Sequence, residues 1–226
     1  MKRILFITGT DTGVGKTVLT SLLAAYLHRQ GVRVAALKPV CSGGREDALI
    51  LKKALGDTLA LDAINPWHFK APLAPVLAAQ REKKRLEIAT VLAHIRSIGK
   101  PFDVILVEGA GGLLSPLGVD FDSQDLIAAL SAQPIIVASD KLGVVNHILL
   151  TLEALPKKAR NRAKIVLMAP KKPDSATASN AKLLEQLSVQ NVCRLPWLGD
   201  EFSAEAALSR PQIQKVMATL TRSSVR

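Results

Sequence analysis

The residue types of a phosphate-binding loop occur near the start of the chain, in the segment GTDTGVGKT at positions 9–17. An apolar run precedes this segment and an amphipathic run follows it from Val18, which gives the order strand, turn and helix. Backbone N–H groups of such a turn point into one concavity, and the helix dipole adds positive potential there. The side chain of Lys16 can then reach terminal phosphates, and the hydroxyl of Thr17 can coordinate magnesium.

The spacing of this loop differs from the usual motif by one residue. The common pattern has its first glycine five positions before Gly15, where this chain has Thr10, and the glycine stands instead at Gly9. A glycine-rich turn that binds no nucleotide is the alternative. Because strand, glycines, Lys-Thr and helix occur in the required order, the segment predicts a nucleoside triphosphate site.

Polar residues also follow the second predicted strand, in the segment KPVCSGG at 38–44. Lys38 could be a solvated loop lysine, but its strand-end position and the small residues around Ser42 favour a site. There the lysine would offset negative charge on a transferred phosphoryl group. Asp47 opens the next helix, and its position alone favours a helix N-cap over a magnesium ligand.

The third long apolar strand ends in a carboxylate, Glu108, which is followed by Gly109, Ala110 and Gly111. A carboxylate at the end of a buried strand needs a charge partner. Magnesium is the partner that phosphate-loop proteins use at this position. The glycines allow the backbone to approach a ligand closely, so we predict a second part of the nucleotide site here.

The helix after the fourth strand begins in the segment LGVVNH at 142–147. Asn146 suits a helix N-cap, and the helix N-terminus around Gly143 could instead hold a carboxylate. His147 has no second histidine near it at ligand spacing, so we predict a structural role for it.

The elements that position these residues follow from the periodicity of apolar side chains. We predict strands at 2–8, 32–37, 103–107, 134–138, 163–168 and 192–195, and helices at 16–30, 47–55, from about 73, 86–98, 146–155, 175–187 and 211–220. Continuous apolar strands are typical of parallel sheets that are buried on both faces. The chain therefore predicts an α/β fold with a doubly wound, mostly parallel sheet flanked by helices, of the P-loop NTPase type. We expect residues 1–226 to form one domain.

Composition argues against several classes of function. The chain carries a formal charge of +11 but only 4% aromatic residues, and no aromatic side chains interleave with its basic runs for stacking on bases. No apolar run approaches the ~20 residues of a membrane span or resembles a signal peptide. Cys41 and Cys193 lack metal-ligand spacing, which favours free thiols in a reducing compartment. We predict a cytoplasmic protein with no nucleic-acid or membrane partner.

Taken together, these motifs resemble the dethiobiotin synthetase family. The resemblance runs in order along most of the chain, through GTDTGVGKT at 9–17, KPVCSG at 38–43, NPW at 65–67, residues 71–79, VEGAGGLLSPL at 107–117, DLIAAL at 125–130, LGVVNHILLTLEAL at 142–155 and PWL at 196–198. The first motif alone is shared with many nucleotide-binding proteins, but the combination is specific.

The resemblance implies a reaction and its participants. Members of the family join carbon dioxide to 7,8-diaminononanoate at the expense of ATP and close a cyclic urea, through a carbamate and a carbamic-phosphoric anhydride. It implies catalytic roles for Thr12, Lys16 and Lys38, and Mg²⁺ ligands at Thr17, Asp47 and Glu108, which replaces the cap interpretation of Asp47. Nucleotide contacts are implied for Gly13, Val14, Gly15, Lys16, Thr17, Glu108, Gly109, Ala110, Gly111, Pro196, Trp197 and Leu198.

The resemblance also implies how the other substrate is bound. Substrate contacts are implied for Lys38, Ser42, Gly143 and Asn146. In the family, the neighbouring subunit of a homodimer helps to hold the distant carboxylate of the substrate, and the segment 143–146 is the matching region here. We therefore expect a homodimer.

The chain departs from the family pattern in two loops. Many members have Asn-Asp after the strand that matches 163–168, and the asparagine reads adenine, whereas this chain has Ala169-Pro170-Lys171-Lys172. We predict a relaxed base preference, with base contacts mainly from the backbone of residues 196–198. The loop between Ser42 and Asp47 is also short, which we expect to open the substrate side of the site.

Two other functions stay open at this point. One is a related phosphate-loop amide ligase, although 226 residues hardly accommodate a glutaminase domain. The other is an ATP-dependent switch of the partitioning type. Such switches carry a further lysine early in the loop, where this chain has Asp11.

Overall fold

The structure is a computed structural model that describes residues 3–222. Its eight strands are β1 (Arg3–Gly9), β2 (Val34–Leu37), β3 (Val40–Ser42), β4 (Trp67–Phe69), β5 (Val104–Glu108), β6 (Gln133–Ser139), β7 (Lys164–Met168) and β8 (Val192–Leu195) within that range. Six of them form one parallel sheet in the order β2-β5-β1-β6-β7-β8. β3 and β4 pair as a separate two-stranded parallel sheet.

Helices connect the strands along the chain. They are α1 (Lys16–Arg29), α2 (Glu46–Ala54), α3 (Leu61–Ile64), α4 (Pro75–Arg81), α5 (Ile88–Ile98), α6 (Ser123–Ala129), α7 (Val144–Ala154), α8 (Lys157–Arg160), α9 (Asn180–Gln186), α10 (Ala204–Ala207) and α11 (Pro211–Thr221). The alternation of strands and helices gives the predicted doubly wound α/β fold, which is confirmed.

The large sheet separates two apolar cores because its side chains alternate between faces. Phe6 and Val107 belong to one core, with side chains from α4, α5, α6 and α7. Leu5 and Leu106 belong to the other, with side chains from α1, α2 and α11. Burial on both faces explains why β5, β6 and β7 read as continuous apolar runs rather than as alternating ones.

Strand order places β1 at the centre of the sheet, between β5 and β6. The chain leaves β1, reaches the sheet edge at β2, returns through β5 and then continues on the other side of β1. Ligands in such sheets bind where this reversal occurs, beyond the carboxyl ends of the strands. The phosphate-loop segment follows β1 at that point.

Three predicted details of the helices are wrong. Asp47 is not the cap of α2, since the helix begins at Glu46 with Arg45 as its N-cap. Asn146 lies in the third position of α7, whose N-cap is Gly143 with φ of 89°. The predicted helix at 175–187 is shorter in the structure, because residues 175–179 form turns in which the Asp174 carboxylate accepts backbone N–H groups.

The other predicted elements occur within a few residues of their expected bounds. Lys2, the first residue of the first predicted strand, lies outside the described residues. Among residues 3–222, no helix combines the length and the apolar character that crossing a membrane requires.

A buried lysine holds the last helix against the sheet. Lys164, at the start of β7, is buried, and its ammonium donates to the carbonyl oxygens of Thr219, Leu220 and Arg222 at 2.8, 3.0 and 2.9 Å. Arg3 donates to the Thr221 and Arg222 carbonyls beside it. Two cations thus donate hydrogen bonds to the carbonyl groups at the end of α11, where the helix dipole favours positive charge. Burial lowers the pKa of Lys164 to about 8, so the group is still cationic at pH 7.

We expect Lys164→Met to lower the free energy of unfolding by about 2 kcal/mol, because it removes three hydrogen bonds to the partly buried carbonyl end of α11. Chemical denaturation monitored by circular dichroism measures this change. Lys158→Met, at an exposed position of α8, is the matched control and should change stability by less than about 0.5 kcal/mol. Equal effects of the two substitutions would contradict the role of Lys164.

Candidate active site

The glycine-rich loop between β1 and α1 has the geometry that a phosphate-binding loop needs. Gly13 and Gly15 adopt positive φ angles of 72° and 97°, and Gly15 is the N-cap of α1. A Cβ atom at Gly15 would also lie 3.0 Å from the terminal methyl of Met168. Only glycine adopts this conformation readily. The conformation leaves the first N–H groups of α1 free to face an anion.

Lys16 is the first residue of α1 and is buried beneath this loop. Its ammonium donates to the carbonyl oxygen of Asp11 at 2.8 Å, which folds the side chain back along the loop. Burial, followed by repulsion from Lys38, lowers the pKa of Lys16 to about 8. A buried cation that uses one backbone acceptor has donors left for phosphate oxygens.

Two carboxylates hold the other lysine, Lys38. Its ammonium donates to Asp47 Oδ2 at 2.5 Å and to Glu108 Oε1 at 2.7 Å. The Thr17 hydroxyl also donates to Glu108 Oε1, at 2.7 Å. The side chains of Glu108 and Lys38 are 0% and 6% exposed, whereas that of Asp47 is 45% exposed, so the cluster opens to solvent on the Asp47 side.

The fold explains how residues so distant in sequence meet. Leu37 and Val107 are partners in the parallel pairing of β2 with β5, so the next residues, Lys38 and Glu108, lie side by side at the carboxyl ends of these strands. Asp47 and Thr17 lie in the first turns of α2 and α1, and these two helices pack against each other. Four separate elements therefore contribute one side chain each.

The electrostatics of the cluster are those of a compact ion group. Burial disfavours the charged form of Lys38, but attraction and hydrogen bonds from Glu108 and Asp47 outweigh it and raise the pKa of Lys38. Burial alone would raise the pKa of Asp47, and the neighbouring Lys38 instead lowers it. Lys38 and Asp47 are therefore both charged at neutral pH.

The donor set of this cluster fits Mg²⁺. Asp47 and Glu108 supply carboxylate oxygens and Thr17 supplies a hydroxyl, which are hard ligands of the kind that Mg²⁺ prefers. Glu108 Oε2 is buried and has no hydrogen-bond partner, which is unusual for a charged oxygen. In residues 3–222 no group of three or more histidine, cysteine or acidic side chains is placed to hold a metal ion, so two carboxylates would need phosphate and water oxygens to complete the coordination.

A cavity of about 690 Å³ lies above the cluster and the phosphate loop. Several predicted residues line it, namely Thr12, Gly13, Gly15, Lys16, Thr17, Lys38, Ser42, Asp47, Ala110 and Gly111. Strand β3 forms part of one wall, where the Ser42 hydroxyl donates to the Leu73 carbonyl at 2.5 Å. That bond holds the segment 72–75, which also lines the cavity. The structure thus brings the predicted catalytic residues together.

A second cavity, of about 340 Å³, shares Gly13, Gly15 and Val18 with the first one. Its other walls include Val14, Ala169, Pro170, Pro196, Trp197 and Leu198. The Ala169 N–H is already donated to Leu195 O at 2.9 Å, and proline offers no N–H. The lining of this cavity is mostly apolar, its polar side chains include Ser139 and Asp200, and it lies beside the phosphate loop.

Four predicted site residues line neither cavity, and the first of them is Glu108, whose side chain is 0% exposed. Gly109 instead continues the sheet, since its N–H donates to Ile7 O at 2.9 Å. Gly143 and Asn146 are exposed at the start of α7 and line neither cavity. Within one copy of the chain, they do not contact the cluster that contains Lys38.

A network around a buried carboxylate, which the motifs did not predict, connects two loops of this sheet edge with α9 and β8. Asp140 follows β6 and is fully buried, and its carboxylate accepts from Asn180 Nδ2 at 2.9 Å and from Arg194 Nη2 at 3.0 Å. Arg194 also donates to Thr177 O at 2.8 Å. The signal was available, because Asp140 is an acidic residue at the end of an apolar strand, as Glu108 is.

Comparisons with known proteins agree with this geometry. A family model described as an AAA domain matches residues 3–202. ATP-dependent dethiobiotin synthetase BioD of Methanocaldococcus jannaschii is 40% identical over 73% of this chain and 78% of that protein. The proteins of the same name from Anaeromyxobacter dehalogenans and Bacillus subtilis are each 38% identical, over 88% and 86% of this chain and 92% and 84% of their own lengths. The chain belongs to the dethiobiotin synthetase family.

The predictions of this family, of its P-loop fold and of an ATP-dependent ligase are thereby confirmed. The solved structure of pNOB8 ParA bound to nonspecific DNA is also similar to this dethiobiotin synthetase family member. It has a TM-score of 0.57 and 15% identity over 97% of both chains, which shows the fold alone.

We expect Asp140→Ala to lower the free energy of unfolding of this dethiobiotin synthetase family member by about 2 kcal/mol, because it removes the buried carboxylate that accepts from both Asn180 and Arg194. Urea denaturation measures the change. Asp140→Asn keeps an acceptor and should cost less. Glu87→Gln, which disrupts an exposed ion pair with Arg85, should have little effect. Should Asp140→Ala cost no more than Glu87→Gln, the network does not stabilise these loops.

Proposed function

We propose that this chain makes dethiobiotin from 7,8-diaminononanoate, carbon dioxide and a nucleoside triphosphate, as the names of its relatives indicate. The observation that carries the proposal is that Lys16 and Lys38, from different loops, line the same cavity as the phosphate loop. A reaction between a triphosphate and an anionic carbamate needs this concentration of positive charge, since two oxyanions must approach each other.

The reaction proceeds in three steps. One amine of the substrate bonds to the carbon of carbon dioxide and loses a proton, which gives a carbamate. A carbamate oxygen then attacks the γ-phosphorus, and the bond to the departing ADP breaks. Finally, the second amine attacks the carbamate carbon, inorganic phosphate leaves, and loss of a proton completes the cyclic urea.

The residues of the cavity have distinct roles in this proposal. The loop N–H groups and Lys16 bind the phosphate oxygens, and Lys38 offsets the charge of the carbamate. Thr12 and Ser42, which line the same cavity, orient the groups that react. Holding both reactants in one geometry supplies much of the acceleration that remains.

Thr17, Asp47 and Glu108 would hold Mg²⁺ in this proposal. When bound, the ion neutralises phosphate oxygens and lowers the repulsion between the reactants. The proximity of the three side chains and the unpaired Glu108 Oε2 support this assignment.

We also propose a homodimer in which the start of α7 faces the second copy. Leu142 and Leu150 are 79% and 62% exposed, and Leu149 is exposed beside them, which is an apolar surface that association would bury. Gly143 and Asn146 lie on the same exposed segment. Their position outside both cavities agrees with a role toward the substrate carboxylate bound in the partner.

The setting of the protein forms part of the proposal. Residues 1–226 act as one domain, in support of which both apolar cores pack on one sheet. The free thiols of Cys41 and Cys193 favour the reducing cytoplasm. The substrates are small molecules, and we assign no nucleic-acid or membrane partner. An amide ligase and a partitioning switch are not favoured by the relatives.

We expect the purified chain to form the cyclic urea from the diamine, bicarbonate and ATP, as detected by mass spectrometry. Lys16→Ala should abolish productive triphosphate binding, and Lys38→Ala should reduce kcat at least a hundredfold with little change in nucleotide affinity. Lys158→Ala, on the exposed α8, is the charge-matched control and should behave as the wild type. Phosphate release that ignores the diamine would favour a switch instead.

We expect a relaxed base preference, because Ala169 and Pro170 bring no side-chain amide to the lining of the second cavity. Values of kcat/KM with ATP, GTP and CTP should differ by less than about tenfold. Ala169→Asn should restore selection for ATP by returning a side-chain amide, and Lys158→Asn is its control at a remote position. Strong exclusivity for ATP in the unmodified protein would contradict this prediction.

A further inference from the structure

The ammonium of Lys38 occupies the place between the two carboxylates proposed for the metal ion. It lies 2.5 Å from Asp47 Oδ2 and 2.7 Å from Glu108 Oε1. Glu108 Oε1 also accepts a hydrogen bond from the Thr17 hydroxyl. The three side chains that would coordinate a metal ion are therefore already linked to one another around the ammonium of Lys38. The lysine itself lines the reaction cavity.

Burial makes a counter-ion obligatory at this position. The side chain of Glu108 is 0% exposed, and a buried carboxylate without a cation is strongly unfavourable. A lysine ammonium and a divalent cation can both meet that need, but they compete for the same oxygens. They also repel each other, because both are positively charged and little solvent separates them.

We infer that Lys38 is the resident counter-ion of Asp47 and Glu108 and that a divalent cation replaces it there. The inference rests on the proposed function for the place of the metal. Replacement deprives the ammonium of both carboxylate acceptors while its stem stays fixed at the end of β2. The ammonium then pairs with the oxyanions that bind in the cavity, so loading of the metal makes the lysine available to the substrate.

Lys16 provides an internal comparison for this exchange. It carries the same charge and lines the same cavity, but its ammonium donates to the backbone of Asp11 at 2.8 Å. Its effect on the two carboxylates is a through-space attraction without a hydrogen bond. Removal of Lys16 therefore changes metal affinity only through the loss of one positive charge. Removal of Lys38 causes the same loss of charge and also frees the oxygens of Asp47 and Glu108 for the metal ion.

The test is the affinity for Mn²⁺ without nucleotide, measured by electron paramagnetic resonance on the full chain. We expect Lys38→Met to bind Mn²⁺ at least tenfold more tightly than the wild type, and Lys16→Met to bind it with a clearly smaller gain. Thermal unfolding should show a lower midpoint for metal-free Lys38→Met, which Mn²⁺ restores. Equal gains in the two variants, or weaker binding in Lys38→Met, would overturn the exchange.

A measurement on the unmodified protein covers the case in which Lys38→Met does not fold. In protein labelled with ¹⁵N-lysine, the ammonium of Lys38 should give a slowly exchanging signal that disappears or moves when Mg²⁺ is added. A signal unchanged at saturating Mg²⁺ would refute the inference. Neither measurement involves the diamine, so failure to form the cyclic urea would disprove the proposed function and leave the exchange standing.

Discussion

One buried negative charge governs the arrangement of this site. Glu108 ends a central strand, its side chain is closed off from solvent, and water therefore cannot stabilise its carboxylate. The ammonium of Lys38 and the hydroxyl of Thr17 stabilise this carboxylate, and each donates to Glu108 Oε1 at 2.7 Å. Asp47 then adds a second negative charge on the open side. The net charge of the group therefore depends on which cations are present.

The parallel sheet converts this requirement into a reaction site. Strands that run in the same direction end at one edge, so the loops after β1, β2 and β5 meet although up to 91 residues separate Thr17 from Glu108. The start of α1 adds its dipole at the same edge. The remaining side of the edge is fixed by the Asp140 network, which connects the loops after β6 and β7 with α9 and β8. Positive potential and rigidity therefore arise from the fold rather than from any single motif.

Much of this arrangement could be predicted from the sequence, and the exceptions have physical causes. Apolar strands buried on both faces and the Lys16-Thr17 turn have local signatures, so their positions were predicted well. The β3–β4 sheet has strands of three residues, which are too short to show a period. Asn146 and Asp47 have residue types that favour helix caps, but each lies inside its helix because a neighbouring residue begins it. Lys38 contacts Asp47 and Glu108, which lie 9 and 70 positions away. These contacts depend on how β2, β5 and α2 pack together, which no local pattern encodes.

The contacts of Lys164 and Arg3 with the end of α11, at the opposite edge of the sheet, have a consequence for synthesis of the chain. The ammonium of Lys164 donates to residues 219–222, and Arg3 donates there as well as to Gln133 Oε1. While α11 is still inside the ribosome, β7 carries a cation that cannot be buried without loss of its hydrogen bonds. The second core also lacks Ile213, Met217 and Leu220 until then. The sheet therefore completes its packing only after residues 211–221 have left the ribosome, and part of one apolar face stays uncovered until then.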